Sequence, residues 1–398
     1  MNYKKEYFLL WIGQGISRLG SWIYLIALNL TVWHMTESPT MVAGLYMIGP
    51  IARIVASFFV GSIVDRSNKR IILILSDVFR AIVVFMIPFA PSIWIIFSFV
   101  FLTNISASFA QPSSTYMITK LVTEQDRPRF NAINSILSSG SFMIGPALSG
   151  IIIAMTNTSI TIWVNSCMLL ISAYFMYLLP NISQRVTDGQ KIISPTVLRK
   201  DFQVVWQVMS QHRSLLQFFV LYSCVLMIAH ALDSQEMSFL KDFHHVSDAS
   251  YGVIVGVTGI GSIVGGIAAA SFVRKLSIST YIGAGLLLTL ACYTIFYGSP
   301  NLILAIIAFI LLGFFMSFSN TGYATIYQNR VPTEILGRFT SALSLFESIL
   351  QIIITLIIGL CAQWFSIQLA TSMFSLIAFT LACVLYRFIS VNKNRIGV

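Results

Sequence analysis

Gly61-Ser62-Ile63-Val64-Asp65-Arg66-Ser67-Asn68-Lys69-Arg70 separates two apolar stretches that are each long enough to cross a bilayer. One carboxylate and three cations between such stretches mark a tight interfacial turn joining two membrane helices. An acid at the end of the first helix can accept from the unpaired amides at a neighbouring helix N-terminus. The turn is therefore suited to a latch that is made and broken, although a merely topogenic basic loop would carry the same cations.

The rest of the chain agrees with a membrane setting. Of 398 residues, 57% are hydrophobic and only 10% charged, against about 25% charged in soluble domains, and mean hydropathy is +0.83. Twelve spans are expected, roughly at 8–33, 40–64, 71–89, 92–118, 130–155, 160–180, 214–238, 249–273, 279–297, 301–329, 335–362 and 367–389. A β-barrel is excluded because its strands alternate instead of running continuously apolar. The longest connection, 181–213, carries Asn181, Ser183, Asp188, Gly189, Ser194 and Pro195 and reads as a linker. The expected architecture is an all-α membrane protein: a six-helix bundle over 1–180, a cytoplasmic linker over 181–213 and a second, pseudo-symmetric bundle over 214–398.

The net charge of +10 is topological and not a nucleic-acid footprint. Lys and Arg crowd the N-terminus, the alternate connections 65–70, 120–129, 181–213, 274–275 and 330–338, and the C-terminal end, whereas Lys241 alone occupies the intervening ones. That bias places both termini and the linker in the cytoplasm of a multi-pass plasma-membrane protein. Lys4 and Lys5 precede an apolar run far longer than a signal-peptide core, so the run is read as a retained first helix. Five cysteines, all in apolar spans and without a Cys-x-x-Cys pair, exclude a disulfide framework and an obvious metal site. No phosphate-binding Gly-x-x-x-x-Gly-Lys loop occurs. Transport would then be driven by an ion gradient or by the substrate's own, without a cofactor.

The two halves superpose at an offset of 209, where Ser108-Phe109-Ala110-Gln111 meets Ser317-Phe318-Ser319-Asn320, Val122 meets Val331, and Arg129-Phe130 meets Arg338-Phe339. The second helices align near 208, Gly44 with Gly252. A parallel six-plus-six repeat suits two bundles rocking around a midplane site.

The turn at 61–70 resembles the signature loop of the major facilitator superfamily, Gly-x-x-x-Asp-Arg-x-Gly-Arg-Arg, between the second and third helices. The resemblance implies a gating latch of Gly61, Asp65, Arg66, Lys69 and Arg70, with Asp65 acting toward an eleventh helix that begins near Pro332–Gly337. Asn68 replaces the usual glycine, and its tolerance of a left-handed backbone would preserve the turn. The corresponding stretch 269–275 of the second half has lost the acid. In the fifth span, Gly140, Gly145, Pro146 and Gly150 are similar to the glycine–proline motif of the superfamily's antiporters, with Ser141 and Ser149 in place of two glycines. Such a motif implies export, a kink at Pro146 and close helix crossings. Gly13-Gln14-Gly15-Ile16-Ser17-Arg18-Leu19-Gly20-Ser21, Trp33–Thr40 and Asp77-Val78-Phe79-Arg80-Ala81 resemble the macrolide-efflux and enterobactin-exporter branch. The fourth span departs from many drug antiporters in having no arginine.

Stripes at helical spacing, polar but for Leu25, run through three spans: Gln14, Arg18, Ser21, Leu25, Asn29; Asn104, Ser108, Gln111, Thr115; and Ser344, Glu347, Gln351, Thr355. Each should face protein or a watery cavity, for interhelical bonding or for substrate. Arg18 and Glu347 lie about ten residues, or ~15 Å, inside their spans, where a bare charge costs at least ~2.5 kcal/mol. Glu347 is the first candidate proton carrier, and Asp233 and Glu236 are the second. Asp77 and Arg80, one turn apart, are read as a mutually neutralising structural pair on a peripheral helix. Cavity candidates are Gln14, Arg18, Trp22, Arg53, Asn104, Gln111, Tyr222, Asn320, Tyr323 and Gln351.

The expected function is a secondary transporter, a monomer in the lipid bilayer, exporting an amphiphilic drug or siderophore in exchange for protons by alternating access. Carriage of an anionic metabolite in either direction is the alternative. A polytopic enzyme or receptor is the reading from a different class. It would need a polar cluster such as Asp242, His244, His245 and Asp248, which surface solvation explains better.

Overall fold

The computed structural model describes residues 5–60, 63–64, 67–123, 126–182, 203, 207, 209–272, 276–331 and 336–393. Short polar connections start the helices. Asn157, Ser277, Asn301 and Ser366 each adopt an extended backbone and accept a bond from an amide two or three residues on, satisfying a donor that the helix cannot. Asn68 does the same, accepting from the amides of Arg70 at 3.0 Å and Ile71 at 3.3 Å. Its φ is −70°, so the expected left-handed turn gives way to a helix cap.

The long elements are α1 (Lys5–Thr36), α2 (Pro39–Ser57), α3 (Lys69–Met86), α4 (Ile93–Leu121), α5 (Arg127–Met155), α6 (Thr158–Tyr177), α7 (Arg213–Asp233), α8 (Asp248–Phe272), α9 (Ile278–Gly298), α10 (Leu302–Arg330), α11 (Leu336–Trp364) and α12 (Ile367–Val391). A short helix, Glu236–Asp242, follows α7. Among the described residues there is no strand, and eleven helical segments are long and apolar enough to cross a bilayer. The other long helix, α1, has 32 residues. The all-α, multi-span class read from the sequence is thus the observed one. The seventh span differs in detail. Expected as continuous over 214–238, it breaks after Asp233, where Ser234 turns its hydroxyl back to the Ala231 carbonyl at 2.6 Å.

Packing gathers the helices into two compact units. The first holds α1, α2 from Ile48, α3 to α6, and the opening turns of α8, Asp248–Gly256. In it α1 packs on α5 and α6, and α3 packs on α4 and α6. Its core joins Tyr7, Leu10 and Trp11 to Met117 and Phe130. Trp11 stacks on Phe130 at 5.1 Å and donates to its carbonyl at 3.3 Å. Such a stack contributes about 0.5–1.5 kcal/mol beyond its burial.

The second unit holds Ser38–Met47 of α2, α7, α8 from Val257, and α9 to α12. Here α7 packs on α11 and α12, and α9 packs on α10 and α12, which is the first unit's pattern six helices later. The residues matched in the repeat do equivalent work. Val122 and Val331 are the extended C-caps of α4 and α10. Phe339 packs on Phe219 at 5.0 Å, as Phe130 packs on Trp11. Within this unit Gly261 and Gly265 let α8 lie against α10: a Cβ on Gly261 would sit 2.0 Å from the Ile310 carbonyl oxygen.

Candidate functional site

The stripe on α1 places Gln14, Arg18 and Trp22 at successive turns of one face. With α3, α4, α6 and Ser138 of α5, this face lines an open polar cavity of about 290 Å³ in the first unit. The Arg18 guanidinium donates from Nη1 to the Asn134 side-chain oxygen at 2.8 Å and to its carbonyl at 3.2 Å, and from Nη2 to Gln14 Oε1 at 3.3 Å. Gln14 in turn donates to Ser114 Oγ at 2.9 Å. All of these acceptors are neutral. Across the cavity, Asp77 Oδ1 pairs with Arg80 Nη1 at 3.4 Å and its Oδ2 accepts from Ser172 at 2.7 Å. Trp22 meets Phe142 edge-on at 4.8 Å, and Gly145 passes beneath it, where a Cβ would sit 2.5 Å from Trp22 Cβ.

The second unit carries two acidic sites. Glu347 on α11 accepts from the wholly buried Ser223 of α7 at 2.7 Å. One residue away, Tyr222 stacks on Tyr323 at 4.3 Å and shares a 3.1 Å bond with Ser319. At the break after α7, the Tyr293 hydroxyl donates to Asp233, and His230 Nδ1 lies 3.5 Å from the other Asp233 oxygen. Glu236 follows and is 9% exposed, with its Oε1 buried and lacking a hydrogen-bond partner. Tyr297 closes the cluster, donating to the Leu232 carbonyl at 2.5 Å.

Other sequence-derived candidates are dispersed. Gly61, Asp65 and Arg66 of the expected latch lie outside the described residues. Its remaining cations sit on aromatic faces: the Lys69 ammonium 5.1 Å over Tyr116, and Arg70 5.1 Å over Tyr177, whose carbonyl also accepts from it. In the α5 motif, Gly145 and Gly150 are close-packing positions, Gly140 borders open space, and Pro146 lies inside a helix that continues to Met155. Gln111 lines the polar cavity. Asn104 bonds back to the Val100 carbonyl at 2.8 Å, Arg53 and Asn320 are exposed, and Gln351 is half-buried. Sequence reasoning set Asp77 and Arg80 aside as peripheral, whereas they line the same cavity as Arg18. The overlooked signal was two ionisable residues in mid-span, which is a functional hypothesis by default.

An all-helical membrane fold holding a charged cavity and acids within its spans is the setting in which comparisons with known proteins become informative. The family model described as Major Facilitator Superfamily matches residues 10–355 and 236–395. The chain belongs to the major facilitator superfamily. Among its superfamily relatives, the MFS-type transporter YfiS of Bacillus subtilis strain 168 is 25% identical over 368 residues, covering 90% of this chain and 87% of that protein. Macrolide efflux protein A of Streptococcus pyogenes is 20% identical over 351 residues, covering 85% of each. A crystal structure of the nucleoside transporter NupG superposes with a TM-score of 0.76 at 14% identity, covering 97% of this chain and 99% of that one. Membership makes the protein a multi-pass plasma-membrane transporter and not an enzyme.

Proposed function

We propose that this transporter exports an amphiphilic small molecule in exchange for protons, by alternating access, within the macrolide-efflux and siderophore-exporter branch. The observation that carries the coupling is Glu236, buried with one oxygen unpartnered at a helix break. A buried carboxyl with an unpartnered oxygen is costlier as an anion than as an acid, so a change in its surroundings that admits water or a cation favours loss of a proton. Glu347, half-buried and bonded to the Ser223 hydroxyl, offers a second acid in a membrane-spanning helix. The similarity to macrolide efflux protein A supports export, as does the glycine–proline stretch of α5. The Lys and Arg distribution supports cytoplasmic termini. The paired packing pattern supports 1–180 and 214–398 as duplicated halves joined by 181–213, and the reading takes the protein as a monomer.

Purified protein in proteoliposomes, under an imposed pH gradient, is offered a macrolide, a cationic dye and a carboxylate siderophore. Gradient-dependent flux of one of them is expected. Glu236→Gln or Glu347→Gln should reduce that flux to its gradient-free level while substrate counterflow persists. Full gradient-driven accumulation in both variants overturns the coupling assignment.

A further inference from the structure

We infer that the Arg18 cavity is an anion-binding subsite that takes the carboxylate of a small aromatic acid, with Trp22 against the ring. The inference deepens the export reading by naming a substrate class. It begins with a count of charge: two guanidiniums and one carboxylate line the same cavity. The carboxylate is already committed, since Asp77 is shared between Arg80 and the Ser172 hydroxyl. Arg18 therefore remains a cation without an acid, among the described residues, on a membrane helix where an uncompensated charge is expensive. An anion arriving in the cavity supplies the missing partner.

Donor geometry agrees with the charge count. A guanidinium has five N–H donors. Nη1 donates to both oxygens of Asn134 and Nη2 donates to Gln14 Oε1. Nε makes no hydrogen bond among the described residues and Nη2 makes one, so donor capacity remains on the two nitrogens that flank one edge of the group, the edge that matches the two oxygens of a carboxylate. Asn134, and Gln14 braced by Ser114, hold the group in place before any ligand arrives. Trp22, one turn further along the same face, is pinned by Phe142 and by the close passage of Gly145. A volume of about 290 Å³ suits an anionic head and a ring system, just under the usual ~300–1,000 Å³ range of ligand pockets.

The test uses the purified full-length protein in detergent, with 1-pyrenebutyrate as anionic probe, its neutral amide as the matched control, and binding read by quenching of probe fluorescence. Wild-type protein should bind the carboxylate more tightly than the amide by about 30-fold, the low end of what losing a partner from a desolvated charge pair costs. Arg18→Gln should abolish that preference, and Arg18→Lys, which keeps the charge, should retain part of it. Equal affinity of wild-type protein for the carboxylate and the amide overturns the inference, as does an unchanged preference in a folded Arg18→Gln variant. If Arg18→Gln cannot be purified, the wild-type comparison and Arg18→Lys decide. Binding is measured with no gradient, so its failure leaves proton-driven export standing, and absent flux leaves the subsite standing.

Discussion

Gly252→Ala offers a sharp test of the packing that surrounds the α5 motif. A Cβ built on Gly252 lies 2.7 Å from the Cα and the amide nitrogen of Gly150 and 2.7 Å from the Pro146 carbonyl oxygen. All three are backbone atoms of α5, so no side chain can swing away to make room. Comfortable carbon contacts are about 3.5–4.0 Å, and the opening turn of α8 would have to retreat by about an ångström. Overpacking of this kind costs about 1–3 kcal/mol, or roughly 5–150-fold in any equilibrium that separates α5 from the start of α8. Gly140→Ala is the control, because a Cβ there meets nothing within 4 Å. Thermal unfolding in one detergent should show Gly252→Ala melting well below wild type and Gly140→Ala level with it, and flux should be altered only in the former. Matching melting curves and matching flux for the two alanines would refute the argument from backbone contact.

Three further outcomes follow from named contacts. Asp77→Asn removes the anion that compensates Arg80 and should cost about 3 kcal/mol, the low end for a broken buried pair. Arg80→Gln in the same chain should recover part of that loss, and a purely additive double variant in a denaturation series would show that the pair is not coupled. Phe130→Ala and Phe339→Ala, at matched positions of the repeat with 1% and 3% exposure, should each cost about 3–5 kcal/mol; a loss confined to one of them would count against equivalent roles. Burial first, and then the neighbouring His245, hold the His244 imidazole below its ordinary value of 6.5. Its contribution to stability is therefore present above pH 6.5 and is lost as pH falls through the lower folded value. His244→Gln should flatten the acid side of the melting-temperature profile between pH 6.5 and 5, and identical slopes in variant and wild type would contradict the assignment.

Much of the fold was legible because hydropathy and length are local properties. Helix starts expected near 160, 301 and 367 fall within two residues of those observed, and the structure adds why they begin there: the side chains of Asn157, Asn301 and Ser366 replace a missing partner for an amide. Asn68 shows the limit. Its substitution for glycine suggested a left-handed turn, yet an asparagine serves equally as a cap, and the choice depends on how α3 begins. The break after Asp233 was hidden for a related reason. Ser234 and Gln235 are ordinary residues in a membrane helix, and only the stacking of Tyr293 and Tyr297 around the break shows what it accommodates.

Within the candidate site, legibility followed compensation. Arg18 has no acid three or four residues away on α1, so its charge stood out in the sequence and pointed to a partner elsewhere. Asp77 and Arg80 satisfy each other across one turn of α3 and so read as structural. Both readings of the local chemistry are sound, and the second still misled, because a neutral pair can occupy a cavity wall as readily as a lipid-facing rim. What decides is the third charge. Once α1 and α3 line the same cavity, neutralising Arg80 leaves Arg18 as the net cation of the enclosure. The pair that looked inert thus selects which cation the site presents without changing its sign: had Asp77 reached Arg18 instead, Arg80 would be the uncompensated cation, and had neither been present, Arg18 would stand alone. In each case the cavity carries one positive charge, and the arrangement determines only which guanidinium presents it beside Trp22.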